Sequence, residues 1–228
     1  LDAKAVFFLS EAYRQQVFEK YIPRKYHNSI ITKTYIIPNG IDDFWIKNQP
    51  LQKNILNGEI KLIYAGRIDR NKNIPTTQKA ISILKNRGYD ISLTVVGKIA
   101  DRRVYKSIIN DRHTKYLPPQ PKEKLLQSYR EHNIFVMPSF TESFGLVYAE
   151  AMSQGLPVVY SKGQGFDDQF PEGTVGYHVS AYDAYDVATG IEKIINNFND
   201  IVPNTIDLAK RFNWQEIANR YSDIYKMM

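Results

Sequence analysis

The chain has 228 residues, a net charge of +6, no cysteine and 43% hydrophobic residues. It is long and apolar enough to bury a core, which sets aside a disordered chain, and it offers neither disulfides nor thiolate metal sites. No apolar run reaches the length of a membrane span and no signal peptide is visible. The surplus of base fits three things: a solvated surface, a phosphate-bearing ligand or an anionic membrane surface. Nucleic acid is set aside, because no helix-turn-helix, RNA-recognition or zinc-finger signature appears.

In chain order, AVFFLS (5–10) reads as a strand ending at Ser10, an N-cap for a helix from Glu11 to about Lys20. TYIIPNGID (34–42) reads as a strand broken at Pro38 and followed by an Asn-Gly turn. Residues 46–59 are polar and irregular and read as a linker. A regular alternation then begins. Strands are expected at 61–66, 91–97, 114–117, 134–139 and 157–161. Helices are expected at 75–88, 102–110, 122–132 and 145–155. Two more helices follow, at about 183–198 and 214–226. The last carries Trp214, Ile217, Ala218, Tyr221, Ile224 and Tyr225 on one face, with Asn213 as N-cap and Glu216 three residues on.

Short apolar strands between amphipathic helices are βα units. They predict an α/β fold with a doubly wound, Rossmann-like parallel sheet covered on both faces. Ligands of such sheets sit beyond the carboxyl ends of the strands. That points to the loops at 66–74, 97–102, 118–121, 139–145 and 161–168.

Two of these loops carry chemistry. GRIDRNKN (66–73) offers a turn glycine, Gly66, and two cations, Arg67 and Lys72. A guanidinium fork and an ammonium suit a diphosphate. Equally, they suit surface ion pairs with Asp69 or a neighbour. PSFTESFGLVYAE (138–150) turns after a strand and enters a helix near Phe144. Free amides of Phe144, Gly145 and Leu146 at that helix start form an anion site, and Gly145 lets a ligand approach the backbone. Glu142 precedes the helix and Glu150 lies within it, roughly 10–12 Å further along the path at 1.5 Å per residue. That exceeds the ~5 Å of a retaining two-carboxylate hydrolase. So the two read as one carboxylate near each end of an extended ligand, or as ordinary helix charges with Glu150 solvated. Neither is expected to move a proton.

Elsewhere the chemistry is sparse. The four histidines have no metal-ligand spacing, and no Asp-x-Asp, P-loop or nucleophile elbow occurs. GQG (163–165) is either a backbone-donor turn or a tight loop.

Taken in order, IPNGID, GRIDRNK, PSFTESFGLVYAEAMSQGLPVV and FNWQEIANRY resemble the GT-B retaining glycosyltransferases of family 4 across residues 5–226. The most specific piece is the pair Glu142 and Glu150 followed by Gly155, Pro157 and two valines. The resemblance implies that residues 1–45 are the end of an acceptor domain and a hinge. Residues 46–212 would then be a nucleotide-sugar donor domain, and 213–228 a helix crossing back to the first domain. Most of the acceptor domain, with its catalytic-domain histidine, would be missing, so this chain is expected to bind nucleotide and transfer little sugar.

By the same resemblance Arg67 and Lys72 neutralise the donor diphosphate and Glu142 positions the donor sugar. The segment Ser143, Phe144, Gly145, Leu146 and Val147 binds phosphate and sugar hydroxyls, and Glu150 holds the ribose. Gly66 and Gly97 complete the donor set. Glu142, Arg67 and Lys72 are the residues expected to carry catalysis. The donor implied is a nucleotide-sugar, UDP-linked first among the choices, with no metal or other cofactor. The acceptor implied is a glycan or a lipid-linked sugar in capsule or lipopolysaccharide assembly. The implied setting is the cytoplasm, with peripheral contact at the inner face of the membrane. A nucleotide-sugar epimerase of the same fold and a non-catalytic nucleotide-binding module are the alternatives. The chain departs from the family pattern at GKIADRR (97–103), at Pro118–Pro119 and at KGQGFDDQF (162–170), which bear on nucleobase and sugar recognition; in the last, Asp167 and Asp168 either help select the sugar or sit in a solvated loop.

Overall fold

The computed structural model describes residues 2–50, 55–56 and 58–228. Eight strands and ten α-helices run along them. They are β1 (Val6–Phe8), α1 (Glu11–Tyr21), α2 (His27–Ile31), β2 (Thr34–Ile36), α3 (Asp43–Lys47), β3 (Ile60–Ala65), α4 (Ile74–Asn86), β4 (Ile91–Val96) and α5 (Arg102–Ile109). There follow β5 (Thr114–Leu117), α6 (Lys122–Arg130), β6 (Ile134–Val136), α7 (Leu146–Ser153), β7 (Val158–Ser161), β8 (Gly176–Val179), α8 (Ala184–Asn196), α9 (Phe198–Ala209) and α10 (Trp214–Met227).

Six strands form one parallel sheet in the order β5-β4-β3-β6-β7-β8. In β3, IKLIYA, every residue but Lys61 is buried; in β6 and β7 every residue is. Such continuous runs suit strands covered on both faces. Helix α4 packs against α8, and α7 against α9. The chain winds outward from β3 through β4 to β5, then crosses back to lay β6 on the other side of β3. That reversal opens a crevice at the carboxyl ends of β3 and β6, where doubly wound sheets hold ligands.

A second, two-stranded parallel sheet pairs β1 with β2. Helix α10 lies on it: Ile217 and Ile224 pack with Ile37, Phe7 and Tyr35, and the Arg220 guanidinium donates to the Ile36 carbonyl at 2.8 Å. Burying the two isoleucines contributes about 3–6 kcal/mol before entropy is charged. The expected single apolar face divides, because Trp214 and Tyr225 stay 46% and 60% exposed. The indole of Trp214 lies flat on Gly40, where a Cβ would come within 2.6 Å of the ring. Asn213 caps α10 as expected, accepting from the Gln215 amide at 2.8 Å.

Several expectations need correction. Ile46 and Lys47, assigned to the linker, finish α3, whose N-cap Asp42 accepts from the Phe44 amide at 2.8 Å; residues 51–54 and 57 of that linker lie outside the described residues. Strand β8 and helices α2 and α9 were not expected. The helix placed at 183–198 ends at Asn196, and α9 starts two residues later with Asn197 serving both ends. Helix α7 begins at Leu146, not near Phe144. Its N-cap is Gly145, at φ 81°, and a Cβ there would lie 2.5 Å from the Tyr148 ring. Phe144 turns inward and packs against Phe166 and Phe212.

Candidate functional site

The loop after β3 and the loop after β6 meet across the crevice. Gly66, just past β3, meets Gly97, just past β4; a Cβ on Gly97 would lie 1.7 Å from the Gly66 carbonyl oxygen, so the two turns approach as only glycine permits. Beneath them the Tyr64 hydroxyl donates to the Arg67 carbonyl at 2.6 Å and pins the turn. Burial raises that phenol's pKa well above its ordinary value, so it stays a donor.

Asp69 next caps a 3-10 turn by accepting from the Lys72 amide at 3.1 Å. This turn aims Lys72 across the crevice, where its Nζ meets Glu142 Oε2 at 2.6 Å; the side chains are 18% and 13% exposed. Arg67 pairs with Asp69 at 2.5 Å and remains 67% exposed. So the surface-pair reading describes Arg67 here, whereas Lys72 is matched to Glu142 from a different loop.

Glu142 is held by its backbone as well as its carboxylate. Its amide donates to Gln164 Oε1 at 2.9 Å, and its carbonyl accepts from the Gly165 amide at 2.8 Å. On the other side Asn71 donates from Nδ2 to the Thr141 carbonyl at 2.7 Å and accepts from the Thr141 amide at 3.0 Å. Asn73, in the left-handed region at φ 56°, donates to the carbonyls of Pro138 and Ala181. Three loops, after β3, β6 and β7, thus meet around Glu142, and Lys72 alone of these reaches its carboxylate. Asn71, Asn73 and Gln164 were missed in the sequence. The signal available was the polar GQG turn and an asparagine just before the Ile-Pro start of α4, whose side chain caps turns and tolerates positive φ.

The loop after β7 has its own brace. Asp167, 7% exposed, accepts from the Gly163 amide at 2.6 Å and from His178 Nδ1 at 3.0 Å, on β8. Asp167 therefore shapes the loop instead of standing free in solvent. Gln16 on α1 donates to the Gly163 carbonyl, so the first segment of the chain touches this loop.

Ser143, Gly145, Leu146 and Val147 stay wholly or partly accessible along the mouth. The first amides of α7 lack intrahelical partners by helix geometry; Tyr148 closes a tighter turn onto the Gly145 carbonyl at 3.0 Å. With the helix dipole they make an anion-attracting edge beside Lys72.

Glu150, eight residues beyond Glu142, occupies a different environment. It is not a solvated helix charge: loss of hydration raises its pKa to about 7, against the pull of Lys122 and a hydrogen bond from Trp45. Asp42, which pushes the same way as burial, is ion-paired with Lys122. Asp42 is the last residue of the PNGID turn and Trp45 lies three residues on, so Glu150 faces the segment joining the two sheets.

Among the described residues no cluster of three or more His, Asp or Glu side chains could hold a metal ion, and no helix is long and apolar enough to cross a membrane.

The family model of glycosyl transferases group 1 matches residues 46–212. A D-inositol 3-phosphate glycosyltransferase of Corynebacterium kroppenstedtii is 29% identical over 72% of this chain and 40% of its own length. The capsular polysaccharide biosynthesis glycosyltransferase CapM of Staphylococcus aureus is 24% identical over 98% of this chain and 63% of its own length. The chain therefore spans about two-fifths to three-fifths of these relatives. Among solved structures, HepE of Anabaena in complex with UDP superposes with a TM-score of 0.78 at 18% identity, covering 99% of this chain and 64% of that one. That likeness is one of fold: the doubly wound parallel sheet is the Rossmann-like domain of GT-B enzymes. On the match across 46–212, this chain belongs to the glycosyl transferases group 1 family, with the GT-B fold.

Proposed function

We propose that this chain is the donor-binding part of a retaining, family 4-type hexosyltransferase that takes a UDP-sugar. The observation that carries the reading is the Lys72–Glu142 pair at the crevice between β3 and β6. A diphosphate entering beside α7 offers Lys72 a doubly charged partner in place of one carboxylate, and Glu142, released, faces the sugar hydroxyls. Arg67, exposed and on the same loop, swings from Asp69 to the second phosphate. The segment Ser143–Val147 supplies amides for phosphate and sugar. Gly66 and Gly97 keep the floor free of side chains, and Glu150 accepts from the ribose hydroxyls.

In the reaction the bond from the anomeric carbon to the diphosphate oxygen breaks. The acceptor oxygen bonds to that carbon on the same face, and its proton passes to the departing phosphate. Arg67, Lys72 and the α7 amides stabilise the charge that develops on the leaving group. In this reading they do so without a metal ion, so EDTA leaves UDP binding unchanged. UDP is favoured because HepE of similar fold is solved with UDP and with UDP-glucose. A glycan or lipid-linked acceptor at the cytoplasmic face of a membrane follows from the resemblance and suits the capsular relative.

Calorimetric titration with UDP, GDP and ADP tests this reading. Saturable binding with UDP tightest is expected. Binding of none of the three, or binding that requires added divalent metal, contradicts it.

A further inference from the structure

Beside the nucleotide crevice lies a second cavity of about 260 Å³, at the carboxyl ends of β6, β7 and β8. It has room for about nine waters' share of liquid volume, the scale of one sugar ring. Its walls include Ser139, Phe140, Ser161, Lys162, Gln164 and Tyr182. Asn73 braces it from below by tying Pro138 to Ala181.

The polar inventory of this cavity is lopsided. The Ser139 hydroxyl is fully buried and has no hydrogen-bond partner among the described residues. Left so, it costs about 1–3 kcal/mol, but it is closed off from the cavity and takes no part in holding an occupant. Gln164 has its acceptor committed to the Glu142 amide, which leaves the Nε2 hydrogens. The Ser161 hydroxyl is spent on the Ser139 carbonyl at 2.6 Å. Lys162 is exposed and has no acid partner among the described ion pairs, and no carboxylate lines the cavity. What remains on the lining is an ammonium, an amide N–H pair and the hydroxyl hydrogen of Ser180, whose oxygen already accepts from the Tyr182 amide at 3.3 Å: donors in excess, with one net positive charge. The remaining wall is aromatic, since the Phe140 and Tyr182 rings lie 5.1 Å apart and inclined at 35°, with Tyr182 83% exposed.

From this we infer a carbohydrate subsite for a sugar residue that bears a carboxylate: the ring against Phe140 and Tyr182, the carboxylate on Lys162 and Gln164. Charge-assisted donors favour the anion over a neutral sugar, and salt weakens the preference because Lys162 is exposed. Gln164 contacts both this cavity and Glu142, so an occupant here lies next to the proposed donor sugar. The inference goes beyond the nucleotide reading and stands or falls separately from it.

The test is calorimetry on this chain with methyl glucuronoside and methyl glucoside, with and without saturating UDP, and with UDP-glucuronate against UDP-glucose. Glucuronate in at least one of the two forms should bind ten-fold or more tighter than its glucose counterpart. Lys162→Ala should bring the two to parity, and Lys162→Arg should restore the preference. UDP itself should bind both variants as it binds wild type, because Lys162 lies outside the diphosphate set. A preference seen with the nucleotide-sugars assigns the acidic residue to the donor; one seen with the free glycosides assigns it to the acceptor. Equal binding of acid and neutral sugar in both forms, or a preference that survives Lys162→Ala, overturns the subsite. Loss of UDP binding in wild type would instead count against the donor-domain reading.

Discussion

Glu142 and Glu150 sit at the two ends of one nine-residue stretch, yet the fold treats them oppositely. Glu142 is met by Lys72 at 2.6 Å and gripped through its backbone by Gln164 and Gly165. Glu150 is half-buried, with an indole donor and the Lys122 ammonium for compensation, and loss of hydration raises its pKa to about 7. One loop carboxylate is ion-paired with a lysine from another loop, and one helix carboxylate has its pKa raised by loss of hydration. The spacing of two acids in a sequence therefore says little about their surroundings, which are set by what the rest of the chain places opposite them.

The largest effect that sharpens this contrast is on stability against pH. For Glu150 the folded pKa lies above the ordinary 4.5, so the folded state holds the proton more tightly than the unfolded state. That contribution is fully present below pH 4.5 and is lost as pH rises through about 7, a swing of about 3 kcal/mol. Urea midpoints of wild type should accordingly carry a falling component between pH 5 and 8, and Glu150→Gln should flatten it. An unchanged slope in Glu150→Gln would return Glu150 to the solvated class.

Next comes the pair. Lys72→Ala leaves a 13% exposed carboxylate without its cation, which should cost about 1–3 kcal/mol. Adding Glu142→Gln should recover part of that loss, and a double-mutant cycle in urea measures the coupling. Strict additivity would mean the two groups are not coupled. Asp167→Ala should cost about 1–2 kcal/mol through the Gly163 and His178 bonds, read from the same urea curves. Smallest is Arg67→Ala. Its pair with Asp69 is 67% exposed on the arginine side, so stability should move by less than about 0.5 kcal/mol while UDP affinity falls.

Much of the sheet was legible because β3, β4, β6 and β7 are short apolar runs between periodic helices. Strand β8, GYHV, was not: it is four residues long, half polar, and follows a glycine turn. Helix α9 was hidden by Pro203 in its interior and by an asparagine that ends one helix and starts the next. At the site, the loops that carry it were readable from the winding rule and from Arg67, Lys72, Glu142 and Gly145. The pairing of Lys72 with Glu142 was not, since 70 residues separate them and register across the crevice is a property of the folded sheet. Asn71, Asn73 and Gln164 reach backbone groups of distant loops, contacts that no local pattern announces. The partner of Glu150 was hidden too, because the hydrogen bond it accepts comes from Trp45, more than a hundred residues earlier.

The most direct measurement is calorimetric titration of wild type and Lys72→Ala with UDP and with uridine. If Lys72 trades Glu142 for the diphosphate, the variant should lose about 10–100-fold in UDP affinity, the worth of a charge-assisted contact of about 1.5–3 kcal/mol, and change little for uridine. Equal losses for both ligands, or wild-type affinity for UDP, would contradict the exchange and with it the donor site.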